Sequence, residues 1–288
     1  MLRLVRSAGG SAGTGGSGAG TARWSPRDGM IDAAALAGVE AVVNLAGKGI
    51  GARPWTAGVK REITESRVRG TRLLAETLAG LARESGGSTG PRVLVVASGA
   101  HYYGDRGDES LSEGSSPGQG FLSGVCQAWE AAADPARAAG IRVVHVRTGP
   151  VQARGGMLAV LAPLYKLGLG GRLGSGRQWW SWIALDDVVG VYRHAIATEE
   201  LEGPVDATAP HPVTNAEHSA TLARVLGRPA LLPVPRFAPR LLLGDMAEEL
   251  LFYSAKAAPA AALATGYVFR FPALEPALRH VLRRPSAS

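Results

Sequence analysis

The chain has 288 residues, 46% of them hydrophobic and 19% charged, enough apolar material for one large α/β core with a smaller lobe beside it. Its formal net charge is +7, yet the arginines are scattered and no basic run builds a nucleic-acid stripe, so the sign suits a small anionic ligand better. The single Cys126 excludes an internal disulfide, and no window of eighteen uninterrupted apolar residues offers a membrane span.

Leu2-Arg3-Leu4-Val5-Arg6 reads as a short strand. Residues 7–27 follow as a Gly/Ser-rich stretch, expected to form a flexible loop. Its arginines and its lack of acid before Asp28 overlap with the composition of organelle transit peptides, but it is too rich in glycine for an amphipathic helix. A literal G-x-G-x-x-G from Gly13 to Gly18 and a G-x-S-x-G around Ser11 lie inside this tract. Both are read as chance matches, because a phosphate loop or nucleophile elbow needs a strand before it and a helix immediately after it.

Strands are predicted at Ala41–Leu45, Arg92–Ala97 and Arg142–Arg147, each rich in β-branched residues, and helices at Thr56–Ala82, Phe121–Ala139, Met157–Leu167 and Leu185–Thr198. Their alternation predicts an α/β fold, a doubly wound parallel sheet covered on both faces. From Pro204 the spacing changes to short elements broken by prolines, so residues 1–203 are expected to form a nucleotide-binding domain and residues 204–288 a small α+β lobe on the substrate side.

Several residues stand out along this path. Arg6 ends the first strand-like run, where dinucleotide-binding folds discriminate the ribose 2′ position; an arginine there favours NADP over NAD. Asn44-Leu45-Ala46-Gly47 ends a strand with small residues that let a ligand approach the backbone. Arg67 lies on the same helical stripe as Val59, Ile63, Gly70, Leu74, Leu78 and Leu81. A guanidinium on a core-facing stripe needs an anion, either a carboxylate such as Glu62 or Asp186 or a bound ligand. The loop from Leu167 to Asp187 is punctuated by glycines and carries Trp179, Trp180 and Trp182, candidates to wall a pocket, before Asp186 or Asp187 caps the next helix. The six histidines and Cys126 show no metal-ligand spacing, so no metal is expected.

Five ordered segments carry a resemblance. They are Asn44-Leu45-Ala46-Gly47, Ser98 with Tyr102-Tyr103-Gly104, Cys126-Gln127-Ala128-Trp129-Glu130, Arg147-Thr148-Gly149 leading to Gly155-Gly156, and the run Leu173 to Asp187 that matches LGxGxQxxSWIHxDD. With Asn215-Ala216-Glu217 and the proline-flanked Leu231–Leu243, they resemble the "epimerase family" proteins, an atypical branch of the extended short-chain dehydrogenase/reductases, over roughly residues 1–285. The resemblance implies a Rossmann-type fold and a cofactor site containing Val5, Arg6, Leu45, Ala46, Glu62, Arg67 and Val151. Family members open with a strand and a G-x-T-G-x-I-G-like loop, whereas the first strand-like run here matches their second strand. About 25–30 residues, one βα unit, are therefore expected to be missing from the pattern.

In the wider superfamily a serine at the place of Ser98 bonds the substrate oxygen, and a Tyr-x-x-x-Lys supplies the proton. That dyad is absent here: Leu122, Cys126, Trp129 and Glu130 occupy the helix where it should fall. A phenol of pKa about 10 is a poor acid–base group without such a helper, so Ser98 with Tyr102 or Tyr103 stands as the candidate proton-handling set. Ala184 replaces the family's histidine, and Ser254 to Ala258 replace a more polar stretch, so substrate identity does not carry over. The reading is an NADP-binding oxidoreductase or epimerase-like enzyme acting on a small molecule in the cytoplasm, with no nucleic-acid or membrane partner. The alternative is a nucleotide-binding sensor or scaffold without turnover.

Overall fold

The computed structural model describes residues 1–5, 20–84, 90–230 and 233–283. Its central sheet consists of four parallel strands in the order β4-β5-β7-β11, namely Ala41–Asn44, Val93–Gly99, Arg142–Thr148 and Gly203–Ala207. The strands β4, β5 and β7 are rich in valine, and the two-residue period divides their side chains between two cores. On β5, Leu94 and Val96 enter one cluster with Leu74, Leu78, Trp129 and Val143, while Val93 and Val95 enter another with Val144, Val146, Val191 and Ala195. The first face is covered by α1 (Ala57–Glu84), α2 (Phe121–Ala131) and α3 (Asp134–Ala138), the second by α5 (Leu185–Ala197) and α9 (Ala260–Ala264). This is the doubly wound arrangement the alternation predicts.

Two sequence expectations are corrected here. Gly20–Ser25 is a strand, β2, paired in parallel with β1 (Leu2–Val5) and antiparallel with β3 (Met30–Ile31). Gly20 to Ser25 therefore do not belong to the expected flexible stretch; its residues 7–19, with both glycine motifs and the neighbouring Arg6, lie outside the described residues. Gly203–Ala207 runs beside β7, Gly203 opposite Val144 and Ala207 opposite Thr148, so the central sheet extends past the expected boundary at 203.

The smaller lobe has its own core. Trp182, wholly buried, packs with Leu158 and Ala162 of α4 (Gly156–Lys166), Leu222 of α6 (Asn215–Leu226) and Leu278 of α10 (Leu274–Leu282). Short strands tie the lobe to the sheet domain: β8 (Val151–Gln152) pairs with β10 (Ile183–Ala184), β9 (Trp179–Trp180) with β12 (Val213–Thr214), and β6 (Ser110–Leu111) with β13 (Lys256–Ala257). Two further helices, α7 (Phe237–Leu243) and α8 (Asp245–Ala247), precede β13.

Asp187 serves this junction and not the helix cap expected of it. Its Oδ1 accepts from Arg270 N at 2.7 Å and Oδ2 from Phe271 N at 2.9 Å, while α5 has no side-chain cap. Asp187→Asn turns an acceptor into a donor facing a backbone N–H, and should lower stability by about 1–3 kcal/mol. Urea unfolding of the two proteins checks this, and a loss within 0.5 kcal/mol (about the scatter of an ordinary surface change) would show that the junction does not depend on it.

Candidate functional site

The C-terminal ends of β4, β5 and β7 open on one side of the sheet, where ligands bind in folds of this kind. At the end of β4 the buried Asn44 is held on both sides: Nδ2 donates to Thr71 Oγ1 at 2.8 Å, and Oδ1 accepts from Ala46 N at 3.1 Å. The turn that follows leaves Leu45 exposed. A Cβ on Gly47 would stand 3.0 Å from Arg67 Cζ, so glycine lets the guanidinium lie flat against the turn.

Arg67 comes from the core-facing stripe of α1, but no carboxylate partners it among the described residues. Its Nη1 donates to Lys48 O at 2.9 Å and Ile63 O at 3.1 Å, and its Cζ stands 4.9 Å from the Trp129 ring centroid. The expected partners are engaged elsewhere, Glu62 with Lys48 and Asp186 with Arg270 at 3.0 Å. Partial burial lowers the Arg67 pKa from its ordinary value. Two carbonyls and a ring satisfy one edge of the guanidinium and leave a positive charge uncompensated, which is a place for an anion.

Beyond β5 the chain makes a single turn, Ala100–Tyr103. The three residues proposed for proton handling are not brought together on an open surface. Ser98 is buried and donates to Glu130 Oε1 at 2.7 Å. Tyr103 is wholly buried; its hydroxyl donates to both oxygens of Asp206 at 2.8 Å and accepts from Arg147 Nη1 at 3.2 Å. Burial first, and the Asp206 charge second, push its phenol far above the ordinary value. Tyr103 is thus an interior anchor and not an acid–base group, a correction to the sequence reading. Tyr102 lays its ring against Arg147, whose Cζ is 3.4 Å from the ring centroid.

Arg147 organises this interior. It grips Glu130 with Nε and Nη2, both at 2.9 Å, and Glu130 in turn holds Ser98. Glu130 and Asp206 were not expected to reach these residues; Asp206 is 103 positions from Tyr103, and no local spacing announces it.

One of two cavities adjoins the ends of β5 and β7, through Ala100, His101 and Pro150. A slot of about 50 Å³ is walled by Ala100, His101, Pro150, Trp179, Trp180 and Leu250, and a cavity of about 230 Å³ is lined by Asp108, Arg177, Gln178, Arg236 and Phe252. Trp179 and Trp180 therefore wall a pocket as the loop suggests, whereas Trp182 belongs to the core of the smaller lobe. Val151 lies just past Pro150, at the start of β8. His101, passed over in the sequence because it has no metal-ligand spacing, lines the slot; burial, with Arg67 adding to it, lowers its pKa to about 4. Among the described residues no group of three or more His, Cys, Asp or Glu could hold a metal, and no helix is long and apolar enough to cross a membrane.

Comparison with known proteins agrees with this fold. The family model described as "NAD dependent epimerase/dehydratase family" matches residues 21–206, and a domain model of unknown function matches residues 234–281. An epimerase family protein of Mycobacterium leprae is 39% identical over 264 residues, covering 91% of this chain and 83% of that protein. Among solved structures, human epimerase family protein SDR39U1 (isoform2) with NADPH superposes with a TM-score of 0.81 at 30% identity, covering 98% of this chain and 99% of that one. A nucleoside-diphosphate sugar epimerase from Corynebacterium glutamicum gives a TM-score of 0.72 at 34% identity, over 92% of this chain and 53% of that one.

Proposed function

The chain belongs to the NAD dependent epimerase/dehydratase family, and from that premise we propose that it binds NADP at the ends of β4, β5 and β7 and acts as an oxidoreductase or epimerase-like enzyme on a small molecule. The observation that carries the cofactor is Arg67, a partly buried guanidinium at a glycine turn with no carboxylate partner among the described residues. A phosphate group of the cofactor supplies the missing anion. The exposed Leu45 and the half-buried Ala46 offer an apolar face beside it, Glu62 and Lys48 close the other side as an ion pair, Val5 ends β1 and Val151 opens β8. Arg6, by its place after the first strand in the sequence, favours the 2′-phosphate. The human structure solved with NADPH supports the same choice.

When bound, the nicotinamide supplies a hydride donor or acceptor. The protein's part is to hold the substrate against it in the Trp179–Trp180 slot, to exclude water there with apolar walls, and to take up substrate from the side of the smaller lobe. A sensor or scaffold without turnover is the second reading, favoured by the internal engagement of Ser98 and Tyr103 and by the absent Tyr-x-x-x-Lys.

Calorimetric titration distinguishes the cofactor reading directly. NADPH is expected to bind more tightly than NADH, and Arg67→Gln to weaken NADPH about 10–100-fold, the worth of one charge-assisted contact. Failure of either nucleotide to bind would end the proposal.

A further inference from the structure

We propose that His101 is the side chain that exchanges a proton with the substrate in the aromatic slot, and that the substrate presents there a flat, mainly apolar carbonyl or alcohol group; this rests on the reading of the crevice as an NADP site. The walls argue for the shape. Trp179, Trp180, Pro150, Ala100 and Leu250 enclose a space of about 50 Å³, which fits a planar group and gives a polyhydroxylated ring few partners.

The polar side chains of the slot single out His101. The Trp179 ring N–H donates to Asp108 Oδ1 at 2.8 Å. The Ser181 hydroxyl donates to Ala255 O at 2.6 Å and accepts from Ala257 N at 2.8 Å. Both Glu249 oxygens accept backbone N–H groups at the start of α2, from Phe121 and Leu122, at 2.8 Å each. Of the slot's polar side chains, those left without a protein partner among the described residues are the His101 imidazole, the Trp180 ring N–H and the Tyr253 hydroxyl. An indole N–H only donates, and burial raises the Tyr253 phenol above its ordinary value. Only the imidazole has a ring nitrogen that can take up a proton and give it back; burial and Arg67 favour its neutral form.

The charges around it couple this role to the cofactor. Arg67 from α1, Cys126 from α2, and Glu249 and Tyr253 across the slot are the titratable groups near the ring. Cys126 is neutral, its thiol pushed up to about 11 by burial. Arg67 disfavours the imidazolium, and an anionic phosphate beside Arg67 offsets that repulsion, so cofactor binding raises the affinity of His101 for a proton. In the reductive direction a hydride adds to the carbonyl carbon, its two electrons drawn from the reduced cofactor. The former C=O π pair takes the proton from the His101 ring nitrogen to complete the alcohol, and solvent reprotonates the ring. Oxidation runs the same step backwards, with the hydroxyl proton passing to the ring.

The probe pair is benzaldehyde with NADPH. His101→Gln is expected to keep NADPH affinity within threefold and to lose benzaldehyde reduction at least about 100-fold, the usual worth of a positioned acid–base group. Imidazole ring resonances, assigned to His101 by their loss in that variant, should shift when benzaldehyde is added to the NADP-loaded protein. The imidazolium form should also be more populated with NADPH bound than without it. Ring signals unmoved by benzaldehyde, no benzaldehyde turnover by the unaltered protein, or turnover by His101→Gln within threefold of it would each overturn the proposal. Failure of the unaltered protein to bind NADPH is read in the same titration and counts against the cofactor reading instead.

Discussion

Replacing Arg147 by alanine is expected to lower the unfolding free energy by about 3–5 kcal/mol, the loss typical of breaking one side of a buried ion pair. The side chain of Arg147 is 4% exposed and that of Glu130 13%. Removing the guanidinium strands the Glu130 carboxylate in an apolar interior, and frees the Ser98 hydroxyl from a partner that is no longer held. It also removes the face against which Tyr102 lies and one donor to the Tyr103 hydroxyl. The cost comes mainly from the unpaired carboxylate, so Glu130→Gln in the same chain should restore part of the loss. A double-mutant cycle on Arg147 and Glu130 should give a coupling of about 0.5–3 kcal/mol. Urea unfolding of the single and double variants measures both quantities. A loss below 1 kcal/mol (about the median surface ion pair) would show that the pair is not needed to hold this interior together.

The sheet was legible because its evidence is local. Val93 to Ala97 is a continuous apolar run and Arg142 to Arg147 nearly so between its ends, the pattern of a strand covered on both faces. β2 was hidden for the same reason: Gly20-Thr21-Ala22 continues a low-complexity tract, and only its pairing with Leu2–Val5 makes it a strand. Arg67 shows how far a helical period reaches. The stripe placed it on the inner face of α1, but its partners are the carbonyls of Lys48 and Ile63, and Lys48 lies on the preceding loop. Side-chain chemistry predicts that a guanidinium needs acceptors, and does not say that the backbone will provide them.

The adjacent tyrosines show the limit most plainly. Sequence treats Tyr102 and Tyr103 as equivalent phenols, yet consecutive residues on one turn point different ways, one against Arg147 and the other into contact with Asp206. Asp187 is a similar case, a cap by position and a junction by its partners 83 and 84 residues later. His101 was within reach of sequence reasoning. It lies between Ser98 and Tyr102, in the segment already singled out, and is the one side chain there with an ordinary pKa near neutrality.

The second large effect is a dependence of stability on pH that centres on Asp206. This carboxyl is wholly buried beneath the Tyr103 hydroxyl; burial first, and the neighbouring Glu113 charge second, push its pKa from 3.8 to about 8. Between these two values the folded chain keeps a proton that the unfolded chain has released. Stability from this group is therefore fully present below about pH 3.8, falls as pH rises, and is lost once pH has passed through about 8. The limiting slope is about 1.4 kcal/mol per pH unit for one proton. Carboxylates with lowered pKa values act in the opposite sense at the acid end, so the clean quantity is a difference between two proteins. Asp206→Asn cannot ionise, still offers an oxygen to Tyr103, and is expected to gain on the unaltered protein by more than 1 kcal/mol between about pH 5 and pH 8, then hold level. Urea unfolding across that range reads it, and a difference curve that stays flat would place the proton elsewhere. The same proton bears on the site. Above about pH 8 the Asp206 carboxylate charge joins that of Glu130 near Arg147 and competes for the one guanidinium that keeps Glu130, and through it Ser98, in place.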